Sequence, residues 1–381
     1  MTTKTKLIEI DTTEASGEEQ DRIDASIVGL TRDQALGLPT KRRRQRWFYL
    51  MQVKHAELTR VRDDLLELMS ADNDIKIISI IGPTGVGKTT LATSFLPKLV
   101  GLFATERKDH ETPVIYVPAP ANGEKSMSWK TLYRRILIAA GEKHIDLQRR
   151  AEVSEGELRA VRAEKTGLAH IREHLEDAIR HRNVRVIVID ESLHLLRFDQ
   201  NAAIMDTLKS LADIHHTKLV LIGTYQIAPL MIEYGQLARR TAILHYRRYA
   251  TPAKFNADKL TDDQLAFKAA ARRLQEIWPC VEVPQLEAGW DTLMRVSLGS
   301  VGLLKSQLLH LAVLQMKQKG EVLRKRDFNR AVKPPKQLRV IEAETLAGEQ
   351  ELEGACYGEA DFGSVDETQA FFDKVIGVGR G

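Results

Sequence analysis

Three short stretches carry side chains whose types and spacing suit phosphate chemistry. Gly82-Pro83-Thr84-Gly85-Val86-Gly87-Lys88-Thr89 matches GxxxxGK[ST] in full. Glycines let such a backbone curl, so that its N–H groups and the positive end of the following helix surround a phosphate. Lys88 then reaches the β- and γ-phosphates, Thr89 offers its hydroxyl to Mg²⁺, and Thr90 borders the same loop. Val186-Ile187-Val188-Ile189-Asp190-Glu191 follows, with Asp190 lying 102 residues beyond Lys88. Its apolar residues predict a buried strand that ends in two carboxylates, where open α/β sheets bind ligands. Asp190 suits a Mg²⁺-associated carboxylate, and Glu191 a group that positions or activates water. The third stretch, Leu219-Val220-Leu221-Ile222-Gly223-Thr224, predicts a strand ending in a small hydroxyl. Thr224 suits a contact to the attacking water or γ-phosphate as well as it suits a strand-end turn. Together the stretches point to ATP hydrolysis with Mg²⁺.

The elements that must position these groups alternate along the chain. Ile77–Ile81, Val114–Val117, Val184–Ile189, Leu219–Ile222 and Ala242–Leu244 read as strands. Lys88–Val100, Trp129–Ala140 and Ala202–Ile214 read as the helices between them, after a first helix in His55–Met69. That alternation predicts an α/β fold with a parallel sheet wrapped by helices on both faces. Residues 142–182 are heavily charged and mostly helix-forming. After Thr251-Pro252 the strand signals stop, and 261–331 reads as several helices, Leu265–Ile277 and Val301–Lys319 being clearest. Lys333-Pro334-Pro335-Lys336 breaks this region. Four segments result: an extension over 1–45 with possible partner contacts, an α/β domain over 46–250, a helical region over 251–335, and an acidic tail over 336–381.

Composition narrows the class. The 381 residues include 56 Lys+Arg, 52 Asp+Glu and two cysteines. Cys280 and Cys356 form no CxxC pair, which argues against a disulfide framework or zinc module. The longest aliphatic runs are only strand-length, and the acid-containing start is unlike a signal peptide, so a cytoplasmic protein is expected. Residues 341–381 carry a net charge of −8, which leaves +12 on residues 1–340. A basic body with an acidic tail favours a polyanionic partner for the body. His170, His174 and His181 recur near helical spacing, but Arg172, Glu173, Glu176 and Arg180 around them indicate a solvated helix face rather than a metal site.

The order phosphate loop, strand ending in Asp-Glu, strand ending in Gly-Thr, paired arginines and helical segment resembles AAA+ P-loop NTPases. The resemblance implies that Thr224 is sensor 1 and that Arg239 or Arg240 is an arginine finger completing a neighbouring subunit's site. It also implies a C-terminal helical lid, in which Lys305 of Gly302-Leu303-Leu304-Lys305 stands at the sensor 2 position. Within that superfamily, roughly residues 50–320 look most like the ATPases that regulate DNA transposition, the TnsC/TniB group, with phage Mu B protein and IstB more distant. The stretches Pro113–Pro120, Trp129–Leu137 with Ala140-Gly141, Asp190–Leu196 and Ile222–Thr224 carry this likeness.

The resemblance implies an ATP-dependent homo-oligomer, ring or helical filament, on double-stranded DNA. It would link a target selector to a transposase, with hydrolysis controlling disassembly. DNA contacts are then expected after the second strand, from Lys125, Ser126, Lys130, Lys143, Arg149 and Arg150. The run Lys41–Arg46, five cations in six residues beside Trp47, Phe48 and Tyr49, is a rival nucleic-acid surface. Trp47 itself suits either a nucleotide pocket or the core. In the tail, Phe362, Phe371 and Phe372 among carboxylates suit docking on a basic partner. The alternatives are a replication initiator or helicase loader with the same core, and a nucleotide-gated oligomeric switch that works without DNA.

Overall fold

The structure is a computed structural model that describes residues 24–70, 73–104, 108–121, 128–142, 149–154, 157–162, 167–195, 201–214, 217–232, 240–252 and 259–356. Its strands are β1 (Ile77–Ile81), β2 (Val114–Pro118), β3 (Arg149–Ser154), β4 (Glu157–Arg162), β5 (Val186–Asp190), β6 (Lys218–Gly223) and β7 (Thr241–His245). Five of them form one parallel sheet in the order β2-β5-β6-β1-β7. Every residue of β1 and β5 is buried. A parallel strand covered on both faces needs a continuous apolar run rather than an alternating one, which is the pattern these stretches have. On one face Ile77, Ile187 and Leu219 pack against Ile136, Leu175 and Leu208 of the helices Trp129–Ala139, Leu168–His181 and Asn201–Ala212.

The chain divides into two compact units. One comprises Met1–Ser70, Thr84–Leu102 and Tyr246–Glu342; the sheet belongs to the other, with Ala71–Pro83, Phe103–His245 and Ala343–Gly381. The first unit has its own core, in which Trp47 and Phe48 of the helix Lys41–Leu50 join Phe267, Trp278, Leu304 and Leu308. Trp47 is thus a core residue, its indole N–H donating to the Leu30 carbonyl at 3.1 Å. The described part of 1–45 is helical and packed here, where the sequence suggested an extension.

The basic run has largely internal partners. Arg44, nearly buried, donates to the Glu321 carboxylate and to the Pro279 carbonyl, and that carboxylate also faces Lys41 at 3.6 Å. Arg46 pairs with Asp24, and Lys41 donates to the Met316 carbonyl. Three of its five cations therefore have partners within the unit, while Arg42 and Arg43 are exposed.

Two further segments differ from expectation. Within 142–182, β3 and β4 pair antiparallel, with Val153 opposite Leu158 and Ala151 opposite Ala160, before the helix Leu168–His181. Charge density masked the alternation in Arg150-Ala151-Glu152-Val153 and Leu158-Arg159-Ala160-Val161. The acidic tail begins as a helix, Pro335–Cys356. Pro335 does not end a helix there but opens one, because the first helical position needs no N–H donor. Leu352 is buried with Ile81, Tyr225, Ile227 and Ala228, and Gly348 lies so close to the Tyr225 ring that a Cβ would fall 2.2 Å from it. Phe362, Phe371 and Phe372 lie outside the described residues. No single helix among the described residues is long and apolar enough to cross a membrane.

In the first unit, the helix Val301–Lys317 seats directly on the phosphate loop. A Cβ on Gly302 would lie 2.3 Å from the Gly85 carbonyl oxygen and 2.8 Å from the Gly87 nitrogen. Only a residue without a side chain permits that approach. Beside it, His55 is buried between two phenols, with Nδ1 3.1 Å from the Tyr249 hydroxyl and Nε2 3.2 Å from that of Tyr246. The Tyr249 oxygen accepts the Glu57 N–H at 3.2 Å, so its own hydrogen serves Nδ1, and Nε2–H donates to Tyr246. Burial, with Arg273 nearby, pushes the His55 pKa down to about 4.

Two outcomes are expected. Gly302→Ala should displace the loop, lowering stability by about 1–3 kcal/mol and weakening ATP binding, whereas Gly101→Ala, with open space around it, should be neutral or stabilising. Thermal unfolding with and without nucleotide measures both. For His55, the unfolded chain takes up a proton below pH 6.5 that the folded chain refuses until about pH 4. Stability should therefore fall as pH drops through that window, and His55→Gln should flatten the melting-temperature profile there.

Candidate functional site

Parallel pairing brings the ends of three strands to one edge of the sheet. Ile81 is in register with Gly223, and the Gly82 N–H donates to the Gly223 carbonyl at 3.3 Å. β5 lies on the other side of β6, so Asp190 at its end faces the same edge as Gly82 and Thr224. Beyond β2, the Ala119 N–H donates to the Asp190 carbonyl at 2.8 Å, extending that pairing past the strand.

From β1 the chain enters the phosphate loop. Gly85 and Gly87 have φ of +82° and +108°, left-handed conformations that side-chain-bearing residues seldom adopt. Gly82, Pro83 and Val86 are buried, while Thr84 and Gly85 are exposed. Lys88, Thr89 and Thr90 form the first turn of the helix Lys88–Leu102, which the Leu91 N–H closes onto the Gly87 carbonyl at 2.9 Å. The Ser300 hydroxyl donates to the Gly85 carbonyl at 2.9 Å and caps the helix Val301–Lys317 by accepting the Leu303 N–H at 3.2 Å. Loop curvature is therefore held by glycine geometry and by the Ser300 side chain.

The acidic end of β5 is held as firmly. Tyr116 donates to Asp190 Oδ2 at 2.6 Å, and the Glu191 N–H donates to Oδ1 at 2.7 Å. Tyr116 and Asp190 lie on one face because Tyr116 is in register with Val188. Burial and the Asp190 carboxylate push the Tyr116 phenol well above its usual range, so it remains a donor. Glu191 has a left-handed φ of +54° and a side chain 65% exposed. Thr224 closes the edge, its hydroxyl oxygen buried and without a hydrogen-bond partner among the described residues.

Each unit carries its own features that suit a nucleotide. In the first, a left-handed glycine cradle suits phosphate oxygens; in the second, a fixed carboxylate suits Mg²⁺, and a buried hydroxyl without a partner among the described residues is costly unless something binds it.

Other predicted residues are placed differently. Lys305 donates from Nζ to the carbonyls of Tyr49, at 2.8 Å, and Met51, and burial lowers its pKa to about 8. It thereby ties off the end of the helix Lys41–Leu50. Arg240 pairs with Asp213 at 3.2 Å, and its carbonyl accepts the Lys76 and Ile77 N–H groups at the start of β1. Lys130 is in the first turn of Trp129–Ala139, and Arg149 and Arg150 open β3. Arg239, Lys125, Ser126 and Lys143 lie outside the described residues. Sequence reasoning missed Tyr116, His194, Ser300 and the close approach of Gly302. Only Tyr116 left a readable signal, as the single polar-tipped residue inside an apolar strand.

Comparison with known proteins bears on the same segment. A family model described as an AAA domain matches residues 72–231. A sequence search of curated proteins returns no match. Among solved structures, the chain is similar to a Walker-type ATPase of Pyrococcus abyssi, with 15% identity over 79% of this chain and 75% of that one, TM-score 0.44. It is also similar to the Aeropyrum pernix ORC2 protein in its ADPNP–ADP complexes, with 14% identity over 85% of both chains, TM-score 0.47. A third is the Aeropyrum pernix ORC1 protein in complex with DNA, with 17% identity over 79% and 68% of the two chains, TM-score 0.43. Residues 72–231 thus match an AAA domain in sequence, and the parallel sheet with its phosphate loop is the AAA+ P-loop NTPase fold.

Proposed function

We propose that this chain is an ATPase that assembles on double-stranded DNA in response to nucleotide and regulates transposition. The observation that carries the hydrolytic part is the buried Thr224 hydroxyl, without a partner among the described residues, on the sheet edge that also holds Gly82 and Asp190. ATP with Mg²⁺ supplies the scissile phosphoanhydride and neutralises its charge. The loop amides and Lys88 would bind the phosphates, and Thr89 and Asp190 are the residues that would hold the cation. Tyr116 keeps Asp190 aligned by its hydrogen bond. Glu191 accepts the proton of the attacking water, and Thr224 orients that water.

Assembly and partners rest on the resemblance to transposition regulators. Arg239 and Arg240 are read as acting in trans, which makes each site depend on a neighbouring subunit. A net charge of +12 over residues 1–340 supports a phosphate-backbone contact that weakens with salt. Lys125, Ser126, Lys130, Lys143, Arg149 and Arg150 remain the residues proposed for it, and the acidic tail remains a proposed docking segment for a transposase or target selector.

Imaging purified protein with random duplex DNA and ATP, ADP or no nucleotide tests the assembly. Rings or filaments restricted to ATP with DNA are expected; dispersed particles throughout would favour a loader or a DNA-independent switch. Glu191→Gln should retain ATP binding, lose about 100-fold or more of turnover, and prolong assemblies on DNA; wild-type turnover would remove Glu191 from the mechanism. Replacing Arg239 and Arg240 together should impair hydrolysis with little change in monomer nucleotide affinity. Mixing that variant with subunits deficient in Glu191 should restore part of the activity, as a finger acting in trans requires.

A further inference from the structure

Beyond Glu191 the chain forms a 3₁₀ turn, Ser192–Leu195, anchored at both ends of its buried side. Ser192 donates from Oγ to the Ile189 carbonyl at 2.9 Å, and Leu195 is buried in the sheet core. The His194 N–H closes this turn onto the Glu191 carbonyl at 3.0 Å. Residues three apart in such a turn stand one above the other, and His194 Nε2 accordingly lies 3.5 Å from Glu191 Oε2. That separation is within electrostatic reach and slightly longer than a hydrogen bond. His194 Nδ1 is buried without a partner among the described residues. An unpaired acceptor is tolerated better than an unpaired donor, which places the ring proton on Nε2, facing the carboxylate.

The Glu191 side chain is otherwise exposed and springs from a backbone held at φ +54°. A left-handed conformation is unfavourable for a non-glycine residue, and such strain persists where neighbouring structure enforces it. The turn enforces the backbone, and only the His194 ring contacts the carboxylate through a polar atom among the contacts described for it.

We propose that His194 is a positioning residue: its Nε2–H holds the Glu191 carboxylate in the orientation needed to accept the water's proton. This rests on the ATPase reading of the site. The test compares steady-state ATP hydrolysis by wild-type protein, His194→Phe and His194→Gln. The first variant keeps a ring of similar size without a donor; the second keeps an N–H donor without the ring. His194→Phe is expected to lower kcat about tenfold with KM for ATP within about twofold, and His194→Gln to recover most of kcat. Equal turnover in wild type and His194→Phe would overturn the proposal. So would equal losses in both variants, or a rise in KM alone, since either marks a packing role. A wild-type protein that binds ATP without hydrolysing it would instead overturn the ATPase reading, and this proposal with it.

Discussion

The register of β1 against β6 is the constraint on which the functional edge depends. With Ile81 opposite Gly223, the chain leaves both strands at one level, and the Gly82 amide is tied to the Gly223 carbonyl before the loop begins. A slip of one residue would turn every side chain of a strand to the opposite face. Since both faces are buried, hydrophobicity alone would resist such a slip weakly. The hydrogen bonds at the strand ends, and the fixed position of Asp190 one strand away, are what distinguish the observed register from its neighbours.

Charged groups in this protein divide by the work their surroundings permit. Arg44, Arg46 and Lys41 sit against carboxylates and carbonyls of the first unit, Arg44 buried and the other two partly exposed. Arg247 does the same with Glu57 and Asp263. Their formal charge counts toward the basic composition but is neutralised locally, so sequence charge overstates what faces solvent. Partly buried pairs of this kind resist salt better than exposed ones.

Much of the fold was legible because its signals are local. Uninterrupted apolar runs marked the five sheet strands, and the spacing GxxxxGK[ST] located the loop at which Gly85 and Gly87 turn left-handed. The hairpin β3–β4 was not legible, because its small apolar residues alternate with arginines and glutamates that equally suit a helix. The helix from Pro335 was hidden by two prolines that read as a stop. At the site, sequence identified the groups that suit phosphate and water but not those that hold them. Tyr116 is 74 residues from Asp190, and Ser300 is 215 residues from Gly85. No local pattern encodes such pairings; they arise only from tertiary packing.

The packing of the N-terminal helices has a consequence for how the chain matures. Arg32 bonds carbonyls 246 and 248 residues later, and Arg44 bonds a carboxylate 277 residues later. During synthesis the segment from residue 24 to 50 emerges more than 220 residues before its partners around Trp278, Met316 and Glu321. The sheet strands between residues 77 and 245 have all been made well before that. Loop closure over such separations is slow relative to local pairing. The helical core therefore cannot close until residue 321 has been made, and until then the residues that cover Trp47 and Phe48 in the finished fold, Trp278, Leu304 and Leu308 among them, are not all present.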